Sequence, residues 1–203
     1  MSISYEPGWS PGCLVLSGGA YFAEMTRDQF FDFCARNPDV PFERTADGDL
    51  IIMTPAGADS SRRNLRLTAQ LAIWAEREGT GVAFDSSAGF WLDNGALRSP
   101  NAAWVRRDRW EALSQVDREK FAPLAPDFVA ELRSKSDRVS HLRGKMQEYV
   151  GSGVRLAWLI DPWERCVEVY RPGREVVVLS EPAVVGGDPE LPGFTLDCGP
   201  LWS

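Results

Sequence analysis

The stretch Asp127–Arg133 alternates along its length, with Phe128, Ala130 and Leu132 on one side and Asp127, Val129, Glu131 and Arg133 on the other. That period of two is a strand. A helix follows from about Arg138 to Val150, stopped by Gly151 and Gly153, and then the apolar strand Val154–Ile160. Strand, helix and strand in immediate succession commit the middle of the chain to an α/β arrangement, around which the rest must be fitted.

With 203 residues, 44% of them apolar, the chain has the size and composition of one domain with a proper core. Residues 1–25, rich in Gly, Pro and Ser, read as a loose lead-in, and 26–203 as the single domain. Thr26 and Gln29 form a capping box that opens a helix through about Arg36. Phe42–Arg44, Asp47-Gly48 and Leu50–Met53 read as a hairpin. Ser60 or Ser61 caps a long helix through Glu78, ended by Gly79, whose stripe of Leu67, Leu71 and Trp74 faces the core. Three short strands follow, Val82–Asp85, Gly89–Leu92 and Leu97–Val105, then a helix around Trp110–Leu113 and a polar connector to Pro126. Cys166–Tyr170 and Glu175–Leu179 make a further strand pair, while the loop around Pro192-Gly193 carries no reading.

Several chemistries are excluded. The net charge of −7 argues against a protein that coats nucleic acid, although Arg62, Arg63 and Arg66 cluster, as do Arg98, Arg106, Arg107 and Arg109. No apolar run approaches the roughly 18 residues of a membrane span, and no basic side chain precedes Arg27, so neither a membrane nor secretion is expected. Cys13, Cys34, Cys166 and Cys198 are scattered, as in a cytoplasmic protein with reduced thiols. His141 is the only histidine. It rules out zinc sites that need two, has no nucleophile elbow near it, and reads as a solvated helix residue. No phosphate-binding glycine loop stands in the right context.

What remains is an oxygen-ligand site for a hard cation, built from carboxylates on neighbouring strands with a cation nearby. Glu131 is the first candidate, on the same side of its strand as Arg133. The other reading of those two is an ion pair on an exposed sheet face. Lys145 flanks the inner stripe Leu142, Met146 and Tyr149 of the following helix, a placement that fits either function or a stem snorkelling along the apolar face.

Four ordered segments carry a family resemblance. They are Arg98–Val105, Ala125–Ser134, Lys145–Tyr149 with Gly153-Val154, and Trp158–Pro162. Together they resemble the Uma-two restriction endonuclease family, a branch of the PD-(D/E)XK nuclease superfamily, over about residues 26–172. The resemblance implies a mixed α+β, restriction-endonuclease-like core, with a mixed central sheet flanked by helices. The N-terminal helix and hairpin and the C-terminal strands are additions to it. It implies a metal-dependent endonuclease that hydrolyses DNA phosphodiester bonds with Mg2+ or Mn2+ and works as a homodimer. Asn101 and Glu131 would be its metal positions, Lys145 would stand in for the motif lysine whose usual slot holds Arg133, and Glu43 would be a further acidic position. Glu43 also reads as a hairpin surface residue. Arg62, Arg63, Arg66 and Arg133 are the expected phosphate contacts.

This sequence departs from the family where Asn101 follows Ser-Pro in place of aspartate, which removes one formal negative charge from the metal site and impairs activity. The alternative is a catalytically silent nuclease-fold protein that binds nucleic acid or a protein partner.

Overall fold

A computed structural model describes residues 13–17 and 20–203. The elements run β1 (Cys13–Leu16), α1 (Ala20–Ala23), α2 (Arg27–Ala35), β2 (Phe42–Arg44), β3 (Leu50–Met53), α3 (Ala58–Glu78), β4 (Gly81–Asp85), β5 (Phe90–Trp91), β6 (Leu97–Arg98) and β7 (Ala102–Arg106). They continue with α4 (Arg107–Glu111), α5 (Gln115–Glu119), β8 (Phe128–Leu132), α6 (Val139–Gly151), β9 (Leu156–Asp161), β10 (Cys166–Tyr170), β11 (Val177–Ser180), β12 (Val184–Gly186), β13 (Thr195–Asp197) and α7 (Gly199–Trp202).

The central sheet has the order β11-β10-β9-β8-β7-β4. Only β8 and β9 are parallel, because α6 carries the chain back from the end of one to the start of the other. This is the mixed sheet flanked by helices that the resemblance implies. Both faces of β8 are covered, so its alternation separates two cores. Phe128, Ala130 and Leu132 meet Leu67, Leu71 and Trp74 of α3, while Val129 meets Leu142, Met146 and Tyr149 of α6. The alternative of Glu131 on an exposed sheet face fails here, since Glu131 is only 5% exposed.

A second sheet, β1-β3-β2-β6-β5, is built from the N-terminal third. Its small core holds Phe22, Phe30, Leu50, Trp91 and Leu97. Successive side chains of β2 go to opposite sides. Arg44 turns into this core, stacks over Trp91 and Phe30, and donates to the carbonyls of Phe22, Met25 and Gly95. Glu43 turns toward α6. The β2–β3 turn needs Gly48, whose φ of +88° and lack of Cβ let it lie against Ala23.

Several expectations need correction. Part of the supposed lead-in is structured. β1 pairs along β3 and Phe22 is buried, while residues 1–12, 18 and 19 lie outside the described residues. The helix expected from Ser60 or Ser61 begins at Ala58 with Gly57 as N-cap. The single strand expected over Leu97–Val105 is two strands, β6 in the second sheet and β7 in the central one. Pro100, which has no N–H to give a ladder, sits where the chain steps between sheets. The C-terminal residues form the β12–β13 ribbon and α7, which close the core under α3. Among the described residues, no helix is long and apolar enough to cross a membrane.

Candidate functional site

The step from β6 to β7, the end of β8, the face of α6 and the middle of β2 converge on one cavity of about 460 Å³. Glu43, Asn101, Glu131 and Lys145 all line it, so four residues separated widely in sequence meet there. The register Ala102↔Ala130 sets Asn101 across from Glu131 at the ends of neighbouring strands. Glu131 shares its side of β8 with Val129, and that side faces α6.

The centre of the site is a buried carboxylate–ammonium–carboxylate bridge. Lys145 Nζ lies 2.9 Å from Glu43 Oε1 and 2.8 Å from Glu131 Oε1. Arg98 donates to Glu43 Oε2 at 3.1 Å and to Glu148 Oε2 at 2.6 Å, and Asn94 holds the other oxygen of Glu148. The backbone N–H of Ser99 also donates to Glu43 Oε1, at 2.8 Å, and Tyr149 Oη donates to Glu131 Oε1 at 2.9 Å. Glu43 is therefore not a hairpin surface residue. Lys145, with a side chain 10% exposed, does not snorkel to water.

The two carboxylates differ in what surrounds them. Burial alone would raise Glu43, but the charges of Lys145 and Arg98, with the hydrogen bonds from Lys145 and Ser99, outweigh it and hold its pKa below the ordinary value. Burial raises Glu131. Lys145 and Tyr149 pull it back, the Glu43 charge pushes it up again, and the net shift is upward. Lys145 loses by burial and gains more from Glu131 and Glu43, so its pKa is raised and it keeps its proton. Two titratable groups pushed in opposite directions divide the work. Glu43 is a fixed counter-charge, and Glu131 is the carboxyl of the two that holds a proton more readily.

Asn101 is oriented by the backbone. Its Oδ1 accepts the N–H of Leu132 at 2.8 Å. A flipped amide would set NH2 against that N–H, so the hydrogen bond fixes which way the amide faces and leaves Oδ1 one uncharged lone pair beside the donor Nδ2. An amino group donates and cannot ligate a cation. An aspartate in the same place would satisfy Leu132 with one oxygen and keep the other for a metal.

The residues present therefore fit a hard divalent cation poorly. Magnesium wants oxygen ligands, commonly one or two carboxylates, with water. Here Lys145 already holds both buried carboxylates, Asn101 offers an uncharged oxygen that already accepts the N–H of Leu132, and Glu131 Oε2 is the one carboxylate oxygen of the bridge with no hydrogen bond among the described residues. Among those residues, no group of three or more His, Cys, Asp or Glu side chains is arranged to hold a metal.

The expected phosphate contacts are placed differently. Arg133 pairs with Asp161 at 2.7 Å, does not line the cavity, and reaches the carbonyl of Asp137. Arg63 is buried, donates to the carbonyl of Leu201 and stacks over Trp163, so it braces the C-terminal residues. Arg62 donates to the carbonyl of Ser203 and lies 3.6 Å from Asp59. Arg66 is exposed on α3. The cavity wall instead carries Ser60, Ser61, Ser86, Ser99, Ser134 and Ser136.

Arg98, Tyr149, Glu148 and Ser99 belong to the site without having been singled out for it. Tyr149 had a signal, lying one helical turn beyond Lys145, as did Arg98, next to Ser99-Pro100. His141, one turn before Lys145, also lines the cavity and is half-buried, not a solvated helix residue. Burial and the nearby charges of Lys145 and Arg98 lower its pKa.

The sequence model of a family named Uma2 and described as "Putative restriction endonuclease" matches residues 27–199. No curated protein matches the chain. Among solved structures, the chain is similar to a crystal structure described as a "putative nuclease belonging to DUF820" from Anabaena variabilis ATCC 29413. The two share 21% identity and a TM-score of 0.68, over 88% of this chain and 97% of that one, a likeness of fold.

Proposed function

The chain belongs to the Uma2 family, and from that premise we propose that it is a DNA endonuclease of the metal-dependent kind whose hydrolytic step is impaired by Asn101. One observation carries the reading. The positions expected for the chemistry meet at one cavity, and where a carboxylate is expected there stands the uncharged amide of Asn101, its oxygen already accepting the N–H of Leu132. Glu131 and Lys145 are in place beside it, one poised to exchange a proton at Oε2 and the other holding a positive charge against the bridge. What is missing is one carboxylate oxygen. The free state of all four cysteines accords with a cytoplasmic protein.

A second reading, a silent nuclease-fold protein that binds nucleic acid or a protein partner, is favoured by the serine-lined wall and the net charge of −7. A plasmid nicking assay in Mg2+ or Mn2+ separates the two, run on this chain, Asn101→Asp and Asn101→Asp/Glu131→Ala, with calorimetric titration of Mn2+ alongside. The proposal expects Mn2+ binding and nicking from Asn101→Asp alone. Mn2+ binding without nicking supports the silent protein. If Asn101→Asp folds yet binds no Mn2+, the site assignment is wrong.

A further inference from the structure

The longest helix of the molecule shows a second face. α3 packs Leu67, Leu71, Trp74 and Ala75 into the core. At 100° per residue, the opposite side presents Arg62, Leu65, Ala69, Ile73 and Glu76 along one line. Leu65 is 67% and Ile73 66% exposed, among the most exposed large apolar side chains of the described residues. Single apolar residues on a surface are ordinary. A leucine and an isoleucine two turns apart, with a small residue between them and opposite charges beyond them, form a pattern.

The pattern is its own complement. We propose that this face of α3 is a twofold interface with a second copy of the chain, the helices antiparallel and the axis passing beside Ala69. About that axis Leu65 lies against Ile73 of the partner subunit, and Arg62 faces Glu76 of the partner subunit. The same contacts repeat on the other side, as an isologous interface requires. Ala69 lets the backbones approach at the crossing, and a shallow crossing angle of roughly 20° keeps the ends within reach. Other registers lose the match. With the axis at Leu65, Ile73 falls opposite Gly57 and Arg62 opposite Thr68. With the axis at Ile73, Glu76 falls opposite Gln70.

Arg62 is free enough to serve. Its side chain is 43% exposed, and a guanidinium has five donors, of which the Ser203 carbonyl and Asp59 engage only part. The footprint is modest. A helix of this length is about 31 Å long and about 10 Å wide, so the helix pair alone buries less than the roughly 1,000 Å² of a stable interface, and the dimer is a weak, reversible one. The first turns of α3 line the cavity through Gly57, Ser60, Ser61 and Asn64. Pairing would therefore set the two copies of Ser60 about 27 Å apart along the helix pair.

Sedimentation of the full chain across a concentration series tests this without DNA or metal, so its outcome is independent of the nuclease reading. A reversible monomer–dimer equilibrium is expected, abolished by Leu65→Asp and by Ile73→Asp, both exposed enough to leave the fold intact. Arg62→Glu and Glu76→Arg should each weaken the dimer about tenfold, since each creates two like-charge contacts, and the double exchange Arg62→Glu/Glu76→Arg should restore it. Ala69→Cys should give a disulfide-linked dimer on mild oxidation where the parent chain gives none. A chain monomeric at every concentration overturns the proposal. So does a dimer indifferent to Leu65→Asp, or a double exchange no better than its single components.

Discussion

Replacing Lys145 by methionine removes the one ammonium shared by two buried carboxylates and keeps most of the stem's volume. Glu43 would still have Arg98 and the Ser99 N–H. Among the described residues, Glu131 would keep only the Tyr149 hydroxyl and would lose the one cation paired with it. Breaking a buried pair from one side costs about 3–5 kcal/mol, a large share of a total stability of roughly 5–15 kcal/mol. The cost depends on pH. The Glu131 pKa is already raised in the folded state above its ordinary 4.5, and loss of Lys145 raises it further. A group raised in this way favours folding below its unfolded value, and that contribution is lost as pH rises through the folded value. The variant should therefore be at its best below the ordinary 4.5 and lose stability as pH rises above it, by up to about 1.4 kcal/mol per pH unit until Glu131 is ionised.

Denaturant unfolding followed by tryptophan fluorescence at two pH values measures this directly. The decisive comparison adds Glu131→Gln. In the Lys145→Met background it removes the stranded charge and should recover about 1–3 kcal/mol, whereas in the parent it should destabilise. If the two substitutions add within about 0.5 kcal/mol, the carboxylates and the lysine are not an energetic unit and the reasoning fails.

The remaining predictions use the same measurements. Glu43, with a lowered pKa, stabilises the fold above 4.5 and loses that contribution as pH falls through its folded value. The difference between the parent and Glu43→Gln should thus be greatest near neutrality and shrink on acidification. An unchanging difference would contradict this. Arg63→Ala should cost about 1–3 kcal/mol, because it removes a buried bond to the Leu201 carbonyl. Were Arg63 a phosphate contact instead, DNA retention would fall with stability unchanged. At Gly81 a Cβ would stand 2.3 Å from the Trp104 ring and 2.4 Å from the Val105 carbonyl oxygen. Gly81→Ala should cost at least about 1–3 kcal/mol by overpacking, and an unchanged melting curve would mean that β4 sits farther from β7.

Local periodicity made the β8–α6–β9 unit legible, and with it Glu131 and Lys145, since each residue's side follows from a strand or helix period. The placement of Glu43 was half legible. Its hairpin could be read, but its burial depends on α6 packing over it from a hundred residues away. The Asn101 orientation could not be read, because it depends on one backbone N–H at Leu132 in a neighbouring strand. Arg62 and Arg63 looked like a basic patch because charge is visible in a sequence and the C-terminal residues that engage it are not. Pro100 was the overlooked signal, a residue that a continuous central strand could not have held. The C-terminal ribbon, short and rich in turn residues, has too little period to announce itself.

The bond between Glu43 and Lys145 spans 102 positions of chain and joins the second sheet to the helix that covers the central one. Such a closure comes late in folding, after both layers exist and the loop entropy between them has been spent. Until then the interior face of α6 carries a desolvating ammonium with half its counter-charge missing, so the nascent protein has reason to keep that groove wet and open. The N-terminal hairpin thus acts as a latch on the domain. A shortened chain that begins beyond it would have the whole central sheet and still be unable to shut.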